Sequence, residues 1–313
     1  MSEPRTALLI PCYNAERYLE KLRRQVDALE PAFDEMVIVD DGSTDGTVAK
    51  ARELGFDIRP LGVNRGPGAA RNAAAKLAKA EWVHFLDADD EISPDYLAKV
   101  LPVAGDGVDA VLSATVFVDE ETREPLMRWE YPGEAFLTNA LRATVVHPVL
   151  LHSSLIRRSV FDTIRGFDEE HRCWEDGDMH VRLAASGARF RCIPDVLARS
   201  PRHKRGTSGC DLYCHRCRLD FLEKYEAYVP RVPAEDLASE AAINAAKLYA
   251  EGDKANAGRA LDLACRLGWK GPESGHPVLV ALAKIPSKRM RKALFGLQMR
   301  ARGGGEAAVP SSE

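Results

Sequence analysis

Over roughly the first third of the chain, short runs of aliphatic and β-branched residues alternate with stretches whose apolar positions recur every three to four residues. "TALLIP" is the first such run, and "NAERYLEKLRRQVDAL" behind it places Tyr18, Leu22, Val26 and Leu29 on one helical face. "MVIVDDGSTDGT" repeats the arrangement: a β-branched strand, Asp and Gly turn chemistry, then the helix "VAKARELG" with a glycine stop. "FDIRPLG", "GAARNAAAKLAKA", "WVHFLDADD", "SPDYLAKVLPV" and "DAVLSATVFVD" extend it as strand, helix, strand, helix and strand. In the second of these helices Ser93 is the expected cap, with Pro94 in the first turn. Strand, loop and helix in repetition predict a parallel, doubly wound sheet over at least residues 4–120, a Rossmann-like α/β architecture.

The pattern then becomes less regular. Between 123 and 205 it gives a strand at "PVLLHSSLI", a turn at "RGFDEE", a helix opening at "WEDGDMHVRLAASG" and a strand at "ARFRCIPDVLAR". After about residue 210 strand signals vanish, and "DLYCHRCRLDFLEKY", "AEDLASEAAINAAKLYAEG", "NAGRALDLACRLG" and "SKRMRKALFGLQMRA" all carry helical periodicity. These features divide the chain into a domain over 1–208, a helical extension over 209–302 and a polar, Gly-rich tail over 303–313 that is expected to be disordered.

Composition narrows the function classes without choosing one. The 313 residues are 45 % hydrophobic and 29 % charged with a formal charge of −4, so no global field points to nucleic acid. The leading apolar stretch is shorter than a secretory signal requires, and no run of eighteen apolar residues occurs, so a soluble, cytoplasmic protein is expected. Seven cysteines, an odd number, fit thiols in a reducing compartment.

Candidate chemistry concentrates where strands end. In a parallel sheet, ligands bind beyond the carboxyl ends of the strands, and Asp40, Asp41 and the acids of "HFLDADDE" all fall there. Successive side chains alternate faces, so Asp87 and Asp89 can project to one side across Ala88. Paired carboxylates suit a hard divalent cation. Asp90 and Glu91 are equally well accounted for as a turn and a helix cap.

"LIPCYNAERYLEKL", "VIVDDGSTDGT", "NRGPGAARNAAAKLAKAEWVHFLDADD", "GFDE" and "WEDGDMHVRLA" stand in an order that resembles the inverting nucleotide-sugar glycosyltransferases of family 2, which have the A-type glycosyltransferase fold. The likeness covers roughly residues 5–208. It implies a mixed sheet, with a nucleotide-sugar half over about 4–120 and an acceptor half over 121–208. By resemblance, Pro11, Tyr13, Asp40 and Asp41 would hold the nucleoside, with Asp41 reaching the base. Arg71 would lie close to the nucleotide, Asp87 would address the ribose, and Asp89 would be the main ligand of Mn²⁺ or Mg²⁺. Glu175 and Asp176 resemble the second acidic motif, in which Asp176 is the general base, kept ionised by its place at a helix start. Asp178 is expected to pair with Arg182 one turn on. "RSPRHKRGTSG" resembles the late segment in which His203 completes the metal shell and Arg202, with Lys204 or Arg205, touches phosphate. The implied donor is a nucleotide sugar, with UDP favoured, and the acceptor a saccharide or lipid-linked saccharide of cell-surface glycan synthesis.

Rival readings are distinguishable. "GPGAARN" mimics part of a dinucleotide fingerprint, but Arg71 occupies the third glycine's place and the first loop has no glycine. A glycosidase would need two flanking acids but not the nucleotide-like loops. An inactive nucleotide-sugar-binding protein of the same fold stays open. So does a metal or cluster site at Cys210, Cys214 and Cys217, although that spacing also describes one packed helix face. Between Lys284 and Arg302 seven basic residues and no acidic ones accompany an apolar helical face, a pattern that suits either packing or peripheral contact with the inner face of an anionic membrane.

Overall fold

The computed structural model describes residues 6–170, 173–202 and 211–271. His203, Lys204, Arg205, Cys210, the basic stretch 284–302 and the tail lie outside them. The chain divides into two compact units, Met1–Gly209 and Cys210–Glu313.

The first unit contains the sheet. Its strands are β1 (Thr6–Cys12), β2 (Glu35–Asp40), β3 (Ile58–Pro60), β4 (Trp82–Phe85), β5 (Glu91–Ile92), β6 (Ala110–Asp119), β7 (Pro125–Trp129), β8 (Ser154–Arg157) and β9 (Phe190–Arg202). The helices are α1 (Leu19–Asp27), α2 (Thr47–Glu53), α3 (Pro67–Leu77), α4 (Tyr96–Val100), α5 (Gly133–Val146), α6 (Arg158–Thr163) and α7 (Glu175–Ala185). The sheet order is β3-β2-β1-β4-β8-β6-β9-β5, with β7 paired to β6 off this path.

Its first half is the parallel sheet expected from the repeats: β1 pairs β2 on one side and β4 on the other, all parallel. The second half is mixed, because β8 runs antiparallel to both β4 and β6 while β9 returns parallel to β6. Leu8, Leu9 and Ile10 are fully buried, as a central strand covered on both faces requires. Pro11 is tolerated there because β4 pairs only with Thr6 to Leu9, so the strand has lost one partner before the residue that lacks an N–H.

The local differences from expectation have physical causes. "PVLLHSSLI" is a strand only from Ser154. Leu151–Ser153 forms a 3-10 turn closed by the side chain of Ser153, which donates to Leu150 O at 2.6 Å. The helix of "SPDYLAKVLPV" begins at Tyr96 instead of just after Ser93, whose N–H is drawn to Leu197 O of β9 at 2.8 Å. β7 and α5, which the irregular pattern of 123–150 did not announce, are an exposed hairpin strand and a helix with a non-helical break at Asn139.

The second unit has helices α8 (Asp211–Tyr225), α9 (Ala234–Ala250) and α10 (Lys254–Arg266). Small residues on α9 and α10, Ala241, Ala245, Ala260 and Ala264 among them, are buried and allow the helices to approach closely. Arg218 is buried with Glu240 at 2.9 Å. Cys214 and Cys217 sit half-buried on α8. Among the described residues no helix is long and apolar enough to cross a membrane.

Candidate active site

The order β3-β2-β1-β4 places the reversal of strand order beside β1, and the acids gather at that rim. β1 runs out through Cys12 into Tyr13, which is half exposed. Asp40 closes β2 opposite Cys12, and both are buried. Burial pushes the Cys12 thiol up to about 12, with the charges of Asp40, Asp87 and Asp45 adding to the rise, so it stays protonated. Oδ2 of Asp40 accepts the Ser43 N–H at 3.2 Å, whereas Oδ1 is buried without a partner. A buried carboxylate oxygen lacking a donor is costly, so this atom is suited to accept a hydrogen bond from a ligand.

Asp41 is committed elsewhere. Its Oδ1 accepts the Arg65 N–H at 2.9 Å and its Oδ2 the Gly66 N–H at 2.8 Å, which fixes the loop that opens α3. The geometry therefore leaves the unsatisfied oxygen on Asp40, not on the Asp41 that resemblance assigns to the base. The same loop crowds Gly42, where φ is +73° and a Cβ would meet Asn64 N and Val63 C at 2.6 Å. Gly42→Ala is expected to destabilise the fold by about 2 kcal/mol or more through left-handed strain and the backbone clash. Urea denaturation measures this; an unchanged midpoint would refute the close approach.

The four acids after β4 have four different surroundings. Asp87 takes both oxygens to Nη2 of Arg71, at 2.7 and 2.9 Å, while Nη1 of the same guanidinium donates to Glu175 Oε1 at 2.7 Å. Asp90 Oδ2 lies 2.7 Å from Nδ1 of His152. Glu91 pairs with Lys21 and Arg123, and so is the structural acid of the group. Asp89 faces a cavity of about 400 Å³ that Tyr18, Lys21, Glu91, Glu120 and Arg123 also line.

Arg71 thus joins two carboxylates brought from distant parts of the chain. It is 4 % exposed, on the Ala-rich face of α3, and its Cζ stands 5.6 Å from the centroid of the Phe167 ring. Desolvation raises the Asp87 carboxyl above the ordinary range although 37 % of the side chain remains exposed; Arg71 pulls it back, and Asp90 and Asp89 push it further up.

Carboxylates crowded in this way fit a hard divalent cation, and Asp89 with Asp87 would be its oxygen donors. Among the described residues no group of three His, Cys, Asp or Glu side chains is arranged to hold one. The expected third ligand, His203, lies outside the described residues.

Asp176 is the second residue of α7, which follows Trp174, a bulky residue held at φ 64° in the left-handed region, where strain is stored. The helix start does not keep this carboxyl low. Burial first, then the charge of Glu175, pushes it up to about 7 against the Gly177 N–H, Arg71 and His152. His180, one turn on, donates through Nδ1 to Asp176 O at 2.7 Å, because a carbonyl can only accept. Its Nε2 is then an acceptor for Ser154 Oγ of β8 at 3.1 Å, which ties the helix start to the sheet. The expected Asp178 to Arg182 pair is present at 2.7 Å, and Arg182 also donates to Ile164 O and Gly166 O.

Three site residues escape sequence reasoning. Asn72 clamps the "GFDE" turn from α3, accepting from Phe167 N at 2.8 Å and donating to Phe167 O at 2.9 Å. Tyr131 bonds Ser153 Oγ at 2.7 Å, and His152 holds Asp90. In the sequence, His152 opens a short polar step, His152 to Ser154, inside an apolar run, with no local signal that it meets Asp90. Arg202 ends β9 with its Cζ 4.1 Å from the centroid of the Phe117 ring.

The profile described as Glycosyl transferase family 2 matches residues 7–165. The succinoglycan biosynthesis protein ExoU of Rhizobium meliloti is 31 % identical over 216 residues, covering 63 % of this chain and 61 % of ExoU. The poly(ribitol-phosphate) beta-N-acetylglucosaminyltransferase TarS of Staphylococcus aureus is 34 % identical over 129 residues, covering 39 % of this chain and 20 % of TarS. The chain thus spans less than two thirds of these relatives. In structure it resembles S. aureus TarS 1-349 in complex with UDP-GlcNAc, with a TM-score of 0.65, 20 % identity and coverage of 96 % of this chain and 92 % of the other. The mannosyltransferase PcManGT of Pyrobaculum calidifontis, in complex with GDP-Man and Mn²⁺, gives a TM-score of 0.61 at 20 % identity, covering 96 % and 87 %. At these identities the likeness establishes the mixed α/β fold.

Proposed function

The chain belongs to glycosyl transferase family 2, and from that membership we propose that it transfers a sugar, with inversion, from a nucleotide diphosphate to an acceptor hydroxyl in cell-surface polysaccharide synthesis. The observation that carries this reading is Asp176, a carboxyl pushed up to about 7 at the head of α7, on the helix whose neighbour Glu175 shares Arg71 with Asp87 of the sheet rim. A general base works best when its pKa is near the working pH.

In the proposed reaction, Asp176 takes the proton of the acceptor hydroxyl as that oxygen bonds to the anomeric carbon. The bond from the anomeric carbon to the phosphate oxygen breaks, and the electron pair leaves with the nucleoside diphosphate. Asp40 accepts from the base through its unsatisfied Oδ1, a role that passes to it from Asp41. Pro11 and Tyr13 flank the nucleoside, Asp87 meets the ribose on the side not occupied by Arg71, and Arg202 approaches phosphate. Bound at Asp89 and Asp87, Mn²⁺ or Mg²⁺ would supply charge to offset the departing diphosphate. Arg71 is a positioning residue that aligns Asp87 with Glu175. UDP is the favoured nucleotide, in line with the complex of the TarS relative; the saccharide acceptor follows from relatives named for polysaccharide synthesis.

A thermal-shift panel of UDP, GDP and ADP with and without Mn²⁺ tests the reading. A ligand at about a hundred times its Kd adds about 2.7 kcal/mol, or roughly 5–10 °C for a domain of this size. UDP with Mn²⁺ is expected to give the largest rise, and Asp89→Asn to lose its metal-dependent part. If no nucleotide diphosphate moves the melting temperature with or without the metal, the reading fails.

A further inference from the structure

We propose that His152, fastened by Asp90, is a positioning residue that sets a positive charge beside Asp176 and favours the ionised, proton-accepting form of that carboxyl. The inference rests on the reading of Asp176 as general base and adds a residue that the reading does not require.

The geometry is specific. His152 is 7 % exposed and Asp90 9 %, and their contact is 2.7 Å. A carboxylate only accepts, so Nδ1 of His152 carries a proton. Nε2 is buried with no hydrogen-bond partner, so the contact that favours a charged ring is the one with Asp90. The turn Leu151–Ser153 that carries the ring is fixed on both sides. Ser153 meets the buried Tyr131 hydroxyl, and Ser154 receives α7 through His180, whose other nitrogen holds Asp176 O. Two hydrogen bonds therefore connect the residue after this turn to the backbone of Asp176.

The surroundings favour a cation at this point. The segment after β4 presents Asp90 and Asp87, and α7 presents Asp176; all three charges act to raise the His152 ring, against the lowering by burial, and the net direction is upward. His84 of β4 and His180 of α7 are imidazoles nearby, and burial pushes them down to about 3 and about 4, so both stay neutral. Arg71 of α3 is shared between Asp87 and Glu175, and Tyr131 is kept protonated by burial. Acids thus outnumber cations in this cleft before a diphosphate enters it, and the Asp90-held imidazolium offsets the charge next to Asp176.

Coupling between two sites is reciprocal, which makes the inference testable without turnover. The full chain, labelled with ¹³C-histidine, gives imidazole resonances whose pH midpoints are read by NMR, the His152 peak being the one absent in His152→Gln. Should that variant fail to fold, the peak is the one whose midpoint falls most in Asp90→Asn. Asp176→Asn is expected to lower the His152 midpoint by about half a pH unit or more, because a neighbouring negative charge has gone. An unmoved midpoint overturns the proposal. Where transfer is measured, His152→Gln is expected to shift the acid limb of kcat upward by a similar amount while leaving the shift produced by UDP with Mn²⁺ unchanged. A failure of the glycosyltransferase reading appears separately, as a protein that binds no nucleotide diphosphate yet still shows the coupled titration.

Discussion

Asp176→Asn lowers kcat by about 10²–10⁴, the usual worth of a positioned general base, and leaves the nucleotide- and metal-induced thermal shift intact. The carboxyl, pushed up to about 7 by burial and by Glu175, must lose its proton to act. Wild-type turnover is therefore expected to decline as pH falls through 7, and the residual activity of Asp176→Asn to lack that limb. Stability runs the other way. Between the ordinary value of 3.8 and about 7, the folded chain keeps a proton on Asp176 that the unfolded chain has released. This group's contribution therefore falls as pH rises through the window and is least favourable above it. Asp176→Asn should consequently be no less stable than the wild type at pH 8. A variant that lost nucleotide binding, or that melted earlier at pH 8, would show Asp176 to be a structural or donor-binding acid instead.

Arg71→Met destabilises the first unit by about 3 kcal/mol, the low end of what removing one partner of a buried ion pair costs, and lowers the melting temperature by roughly 6–12 °C for a domain of this size. The guanidinium is 5 % exposed and Glu175 12 %, so removal leaves Glu175 buried without its cation, while the more exposed Asp87 regains water. Arg71→Lys is expected to recover only part of the loss, because a single ammonium cannot reproduce the fork that joins the two carboxylates. Thermal melting without ligand measures both. If Arg71 served the nucleotide instead of the frame, Arg71→Met would melt like the wild type when empty and lose only the nucleotide-induced rise.

Much of the parallel half was legible because its signals are local. The run "TALLIP", the turn chemistry of "DDGSTDG" and the "GPG" opening of α3 each depend on neighbours within a few positions, and Gly66 with Pro67 at the first helical turn is a start signal of that kind. The mixed half was less legible. β8 is four residues long and pairs with β4, some seventy positions earlier. Likewise, "DADDE" announced four acids but not their division among Arg71, a cavity, His152 and the Lys21 and Arg123 pair.

The sequence by itself determined that acids would stand at the carboxyl ends of β-strands and at the head of a helix, since periodicity and turn residues act over a single turn of chain. Only the tertiary structure decided which acid keeps an unsatisfied oxygen, which is neutralised by a buried cation, and which is pushed into the neutral pH range. Those outcomes depend on desolvation and on charges brought close from distant positions, as Glu175 is to Arg71 and His152 to Asp90. No local pattern encodes such distances, because they exist only once the sheet has closed against α3 and α7.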